Sequence, residues 1–381
     1  MNATNDISYN IIDSSSQLAQ LVSTIENETV IGVDLEADSM YHFREKVCLI
    51  QMATANINAV IDPLEIKDLS ALKPIFKRND IQKIFHGADY DVRSLFRDFK
   101  ITINNLFDTE LASRFLGSPE TGLDAVLKKK FAISLDKKFQ RKDWSRRPLP
   151  QEMIAYAAED ARYLLPLARA LTDELNDKGR LSWVHEECKI LSNVRPNTNG
   201  TQPLYLNFKG AGKLDPRSLA ILEALLDCRQ NIARKKDRPL FRIIGSHCLL
   251  NLAKTRPTNL KQLEKTGTLS PKQIAMYGRQ VLAAIDSAIK IPQKDLPVYP
   301  RRKAPRVPAV GAQRVKSLKK LRDRQAHKLS MDPALILTKS VISTLAIQRP
   351  LKLSELLQIK EIKKWQIREF GEEILEVLRH R

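Results

Sequence analysis

The chain has 381 residues, with 63 Lys+Arg against 44 Asp+Glu, a net charge of +19 and an aromatic content of 6%. That length suits two or three domains, and the positive excess suits a nucleic-acid partner. Four scattered cysteines without C-x-x-C spacing argue against zinc-finger or disulfide frameworks. No apolar run reaches membrane-spanning length or forms a signal-peptide core, so a cytoplasmic protein without a membrane partner is expected.

In chain order, the β-branched run Thr29-Val30-Ile31-Gly32-Val33 predicts a buried strand over 29–36 that carries Asp34-Leu35-Glu36 at its end. Residues two apart on a strand share a face, so the Asp34 and Glu36 carboxylates leave together. Side by side they repel and resist desolvation unless a cation sits between them, although a strand end emerging into water is the ordinary alternative. Further strands are predicted over 47–53, 57–61 and 81–85, with a helix over 65–77.

The 81–85 strand runs into His86-Gly87-Ala88-Asp89-Tyr90-Asp91, which opens a helix over 88–99. Val92, Leu95, Phe96 and Phe99 mark its core face. Acids in a first turn also complement the helix dipole, so this cluster has an ordinary explanation too. His86 is open between a structural hydrogen bond and substrate contact. Helices follow over 108–116 and 150–175, the second with Pro150 in its first turn and Pro166 positioned to kink it just after Asp160. Tyr156 and Asp160, four residues apart, share a helix face, as an ordinary surface pair would. Three early strands followed by strand-helix alternation predict an α/β fold with a mixed sheet.

Each cluster is explicable singly, but D-x-E, H-x-x-x-x-D and Y-x-x-x-D in this order on strand, strand-helix and late helix are not explained by coincidence. With Val33-Asp34-Leu35-Glu36-Ala37, Cys48-Leu49-Ile50-Gln51-Met52, Leu106-Phe107-Asp108-Thr109 and Asp143-Trp144-Ser145-Arg146-Arg147-Pro148, the sequence over roughly 8–190 resembles the ribonuclease D family of DEDD exonucleases, in the tyrosine-bearing subgroup. The resemblance implies an RNase H-like mixed sheet flanked by helices. It implies that Asp34, Glu36, Asp91 and Asp160 bind two divalent cations, Mg²⁺ or Mn²⁺, and that Tyr156 aims the attacking water. A phenol with a pKa near ~10 is a poor general base at neutral pH. The subgroup with a catalytic histidine carries it at the position of Tyr156, so His86 is not the base. The activity implied is 3′-to-5′ exoribonuclease hydrolysis releasing nucleoside 5′-monophosphates. Its substrate would be RNA with an unpaired 3′ end, transfer RNA precursors in particular, acted on by a monomer.

Residues 1–200 carry 26 Lys+Arg against 29 Asp+Glu, whereas residues 201–381 carry 37 against 15, which puts the electrostatic footprint for RNA in the C-terminal half. That half repeats itself: a displacement of 93 residues puts Arg229 on Arg322, Ala233 on Ala326, Arg256-Pro257 on Arg349-Pro350, Gln273 on Gln366 and Gly278 on Gly371. Both copies read as helical, and the first, with Leu240-Phe241-Arg242-Ile243-Ile244, resembles the HRDC module. The second is more divergent. The expected organisation is an exonuclease domain over 1–195, a first all-α HRDC bundle over 213–291, a proline-rich basic linker over 292–313 containing Arg301-Arg302-Lys303, and a second HRDC-like bundle over 314–381.

Trp144 and Tyr41-His42-Phe43 adjoin the acidic clusters and are open between holding terminal nucleotides and core packing. Arg146 and Arg147 are open between a phosphate contact and structural ion pairs. A DNA-directed repair exonuclease would use the same chemistry, and a non-catalytic RNA-binding scaffold would need only the basic half.

Overall fold

The computed structural model describes residues 8–196, 202–300 and 309–379. Arg301-Arg302-Lys303 lie outside the described residues. Six strands, β1 (Asn10–Ile12), β2 (Val30–Ala37), β3 (Val47–Ala53), β4 (Asn58–Ile61), β5 (Gln82–Phe85) and β6 (Leu106–Asp108), form one sheet in the order β1-β4-β3-β2-β5-β6. β2, β3 and β4 are antiparallel neighbours, while β1 on β4 and β5 on β2 and β6 are parallel, giving the mixed sheet expected. Eight helices accompany it: α1 (Ser15–Ile25), α2 (Leu72–Lys77), α3 (Asp89–Phe99), α4 (Thr109–Phe115), α5 (Leu123–Phe131), α6 (Gln151–Arg162), α7 (Leu164–Asp177) and α8 (Leu181–Leu191).

Two helices differ from the sequence expectation. The helix expected over 65–77 begins only at Leu72, because the Asp62 and Asp68 carboxylates accept from the Leu64 and Ser70 N–H groups at 3.0 and 2.8 Å. Such local turns compete with helical bonds. The helix expected over 150–175 breaks at Tyr163 into α6 and α7. Pro166, lacking an N–H to donate back to Arg162, sits in the first turn of α7, where that loss is tolerated.

The C-terminal half contains α9 (Pro216–Lys236), α10 (Leu240–Ile243), α11 (Ser246–Thr255), α12 (Leu260–Lys265) and α13 (Pro271–Ile289), then α14 (Ala309–Leu329), α15 (Pro333–Ile336), α16 (Lys339–Gln348), α17 (Leu353–Leu356) and α18 (Lys364–Arg379). Each helix of the second set starts 93 residues after its counterpart. The repeated residues do the same work in both copies. Gln273 Nε2 donates to the Ile243 carbonyl and Gln366 Nε2 to the Ile336 carbonyl, each at 3.0 Å. Gly278 and Gly371 let α13 and α18 approach Leu260 and Leu353, whose methyl carbons lie 3.1 and 2.7 Å from where a Cβ would be.

The chain divides into two compact units. One contains the first copy of the helical repeat and residues Asp38–Lys46; the other joins the sheet and its helices to the second copy. Within the latter unit a single apolar core runs from the sheet through α18. Trp365, fully buried, stacks on Trp183 of α8 with ring centroids 4.8 Å apart and meets Phe115 edge-on at 5.4 Å. Its Nε1 donates to Glu187 at 3.0 Å, and Glu187 also pairs with Lys363. Glu186 accepts from the Lys364 and Trp365 N–H groups at 2.7 and 3.0 Å, capping α18 from α8. The Arg180 guanidinium donates to the Phe115 and Leu329 carbonyls at 2.8 and 3.0 Å, tying the ends of α4 and α14 together. The first copy has exposed Lys272 at the position of Trp365. A bundle of this size gains from burying one face on a neighbour, because a small core contributes little stability alone.

Candidate active site

On β2, Gly32, Asp34 and Glu36 occupy one face of the sheet, and α6 crosses that face over β2, β3 and β4. Gly32 makes the crossing close. A Cβ there would lie 2.9 Å from the Ala161 carbonyl oxygen and 2.9 Å from a Leu165 methyl carbon. The α6–α7 junction therefore rests on bare backbone, which brings Asp160 over the end of β2. Oxygen atoms of Asp34, Glu36 and Asp160 all lie within 4.8 Å of one another. Asp91, in the first turn of α3 and only 7% exposed, is outside that three-residue group but next to Asp34, whose charge it feels.

Asp108 positions Asp91. It is 3% exposed, and its carboxylate accepts from the Gly87 and Ala88 N–H groups, both at 2.9 Å, as well as from Glu110 and Leu111 at 2.8 and 3.2 Å. One side chain thus fixes the starts of both α3 and α4. Gly87 makes the turn between β5 and α3 at φ +75°, a conformation that favours glycine. Nothing in the three acidic clusters points to Asp108. The signal was present: an acid immediately before a helix is the N-cap pattern.

Among the described residues, none of the four acids has a Lys or Arg ion-pair partner. Burial raises the Asp34 carboxyl to about 6. Burial, with the Asp34 and Glu159 charges, raises Asp160 to about 8. Burial also pushes Glu36 well above the usual carboxylate range, helped by Asp34, Asp160 and Asp91. Asp91 is pushed up likewise by burial, then by Asp34 and Asp108. Four half-buried or buried acids holding each other's protons fit a site for hard divalent cations, which take oxygen ligands.

Tyr156 lies one turn before Asp160. Its ring packs edge-on against Phe139 at 5.6 Å and stacks against Trp144 at 6.1 Å. Burial and the charges of Asp160, Glu36 and Asp34 push its hydroxyl up further, so it stays protonated and can donate a hydrogen bond.

The other residues near the acidic clusters have the following surroundings. Trp144 is 1% exposed and belongs to the core under α6. Arg147 holds Asp62 through Nε at 2.6 Å and Nη2 at 2.7 Å and reaches the Cys48 carbonyl at 2.9 Å. Arg146 is exposed, 3.3 Å from Asp143. His86 Nδ1 is 2.9 Å from the Thr109 hydroxyl, which itself donates to the Phe85 carbonyl, so Nδ1 carries the proton. Tyr41, His42 and Phe43 belong to the other unit. There His42 Nδ1 is 2.6 Å from Asp237, and the Arg242 and Arg234 guanidinium groups lie over Tyr41 and Phe43 at 4.7 and 5.7 Å.

Gly32→Val is expected to force the α6–α7 junction off β2, costing about 1–3 kcal/mol of stability and most of any metal-dependent activity. Urea denaturation alongside a rate measurement checks it. A variant with unchanged midpoint and rate would mean that the close approach is not needed.

Residues 9–176 match the 3′-5′ exonuclease family, and residues 218–285 and 312–378 each match the HRDC domain. The sequence is 31% identical over 330 residues to ribonuclease D of Desulfotalea psychrophila, covering 86% of this chain and 87% of that protein. It is 40% identical over 169 residues to protein RRP6-like 3 of Arabidopsis thaliana, covering 44% of this chain and 19% of that one. Among solved structures, that of Escherichia coli RNase D, an exoribonuclease involved in structured RNA processing, superposes with a TM-score of 0.73 at 26% identity, covering 98% of this chain and 99% of that one.

Proposed function

Because the chain belongs to the ribonuclease D family and is a 3′-to-5′ exoribonuclease, we propose that it trims the unpaired 3′ ends of structured RNA, transfer RNA precursors in particular, releasing nucleoside 5′-monophosphates. The observation that carries the site assignment is the convergence of Asp34, Glu36 and Asp160, without a basic partner among the described residues, with Asp91 beside them. These four would hold two divalent cations, Mg²⁺ or Mn²⁺, both suited to oxygen ligands. The bound cations would supply a hydroxide-like nucleophile at neutral pH and neutralise the leaving oxygen. The protein supplies orientation: the four carboxylates fix the ligand directions, and the Tyr156 hydroxyl donates toward the attacking water to aim it. In this reading the functional domains are an exonuclease over 1–195 and HRDC modules over 213–291 and 314–381 with the linker 292–313, and the protein acts as a cytoplasmic monomer. No described helix is long and apolar enough to cross a membrane.

The basic C-terminal half supports an RNA partner. Exposed Arg234, Lys235, Lys236, Arg238 and Arg242 flank Phe241 in sequence, itself 54% exposed, at the end of α9, in the turn after it and on α10. Basic groups interleaved with an open aromatic ring suit a single-stranded nucleic acid.

Product chemistry tests the proposal: chromatography of a digest should yield nucleoside 5′-monophosphates, and RNA blocked by a 3′-phosphate should resist trimming. Nucleoside 3′-monophosphates would reject this mechanism.

The raised carboxyl pKa values give a pH prediction. Acids with folded pKa above the ordinary 3.8 bind protons more tightly when folded, so they favour the fold at low pH. That contribution is lost as pH rises through about 6 for Asp34 and about 8 for Asp160. Metal-free protein should therefore lose thermal stability between about pH 4 and 8, while Mn²⁺ restores it more strongly at the higher pH. Thermal unfolding in EDTA and in Mn²⁺ across that range measures both trends; a Mn²⁺ increment independent of pH would contradict the assignment.

A further inference from the structure

Gln51 is the polar residue in the core beneath α6 whose presence the mechanism above leaves unexplained. It is 0% exposed on β3, and neither Oε1 nor Nε2 has a hydrogen-bond partner among the described residues. Leaving a buried amide unpaired costs about 1–3 kcal/mol, and a leucine would fill the same space without that cost. A buried unpaired group of this kind calls for a functional explanation.

Its position supplies one. In the antiparallel register, Gln51 is directly opposite Asp34, and Val60 of β4 is its partner on the other side. Cross-strand partners leave the same face of the sheet with Cβ atoms about 4.5–5.5 Å apart. The next row, Gly32, Ala53 and Asn58, lies against the same helix: Asn58 Nδ2 donates to the Ala158 carbonyl at 3.0 Å. The surface of α6 over Val60 is built from buried Ala157 and Ala158. The amide is thus enclosed by the helix and the sheet, with the Asp34 carboxylate as its neighbour on β2.

Resting on the reading of Asp34 as a metal ligand, we infer that Gln51 is a positioning residue: in the metal-bound protein its Nε2 donates to the Asp34 carboxylate oxygen turned away from the cation. The bond selects which oxygen faces the cation and holds the carboxylate plane, and it satisfies the donor of the buried amide. A neutral donor suits the place. A Lys or Arg there would compete with the cation for the carboxylates, whereas an amide orients the ligand without cancelling its charge.

The test is a Mn²⁺ titration by calorimetry on the full-length wild type, Asp34→Ala, Gln51→Met and Gln51→Leu, with metal-free thermal unfolding of each. Two apolar replacements of similar volume guard against a packing fault in either one. Both should unfold at or above the wild-type temperature without metal, since they remove an unpaired amide, and both should bind Mn²⁺ about 10–100-fold more weakly. Excess Mn²⁺ should recover most of the trimming rate. Unchanged Mn²⁺ affinity in a folded Gln51 variant, whatever its unfolding temperature, would overturn the inference. Wild-type affinity in Asp34→Ala would instead overturn the reading on which it rests.

Discussion

Replacing Asp34 with alanine is expected to lower 3′-end trimming by at least about a thousandfold, several kcal/mol of barrier, while RNA affinity stays within about twofold. Asp34 lies within 4.8 Å of Glu36 and Asp160 and also feeds its charge to Asp91, so its loss removes a member of the cluster that acts electrostatically on all the others. The basic residues available for phosphate contact lie largely in the C-terminal half and are untouched by the change. A second consequence separates this account from simple misfolding. Removing one of several mutually repelling buried acids should make the metal-free protein more stable near pH 8, the usual exchange of stability for function at a site of like charges. Single-turnover trimming, filter binding and thermal unfolding in EDTA together measure it. Parallel loss of activity, binding and stability would contradict it.

Trp365→Ala is expected to cost about 3–5 kcal/mol, the range for large buried aromatics, and to do so in the nuclease as well as in the second HRDC copy. The indole is fully buried between Trp183 and Phe115, and its Nε1 satisfies the buried Glu187. Deletion of 309–381 should have a still larger effect, exposing the Trp183 face and leaving the caps from Glu186 and the Arg180 bond to the Leu329 carbonyl unmade. Denaturant unfolding followed at α8 and at α18 should report one shared transition in the wild type. Two independent transitions, or a deletion variant as stable as the whole chain, would contradict a common core. It follows that truncation is a poor probe of RNA contact by this copy. Substitutions of exposed Lys316, Lys319 and Lys320 on α14, read as a change in the salt dependence of binding, would leave the core intact.

The sequence exposed the parts of the fold that rest on period and punctuation. β2 announces itself by a β-branched run and β3, β4 and β5 by short apolar segments, and the 93-residue repeat places every helix of the second copy once the first is known. β1 and β6 have three residues each, too few for any alternation to register. The break at Tyr163 was only half legible: Pro166 signals an interruption, but whether the helix bends or restarts depends on what α7 packs against.

In the site, residue types and order were enough to select five candidates, and three of their carboxylates converge. What spacing could not convey is tertiary. Gly32 reads as one more strand residue until the Ala161 carbonyl is found where its Cβ would be. Arg147 and Trp144 carry the chemistry of a phosphate clamp and a stacking platform, yet Asp62 and the core beneath α6 consume them. The division of the two HRDC copies between separate compact units was likewise hidden. Its one sequence trace is a tryptophan at 365 where the first copy has Lys272.

The most direct measurement of the central claim is a time course resolved to single nucleotides on 5′-labelled RNA and DNA duplexes with matched 3′ tails, in Mg²⁺, Mn²⁺ and EDTA, for the wild type and Asp34→Ala. The account predicts stepwise shortening of the RNA tail in either metal, ending near the duplex, with no shortening in EDTA or in the variant. Trimming that persists in EDTA or in Asp34→Ala, or internal cuts in place of a ladder of single-nucleotide steps, would contradict it.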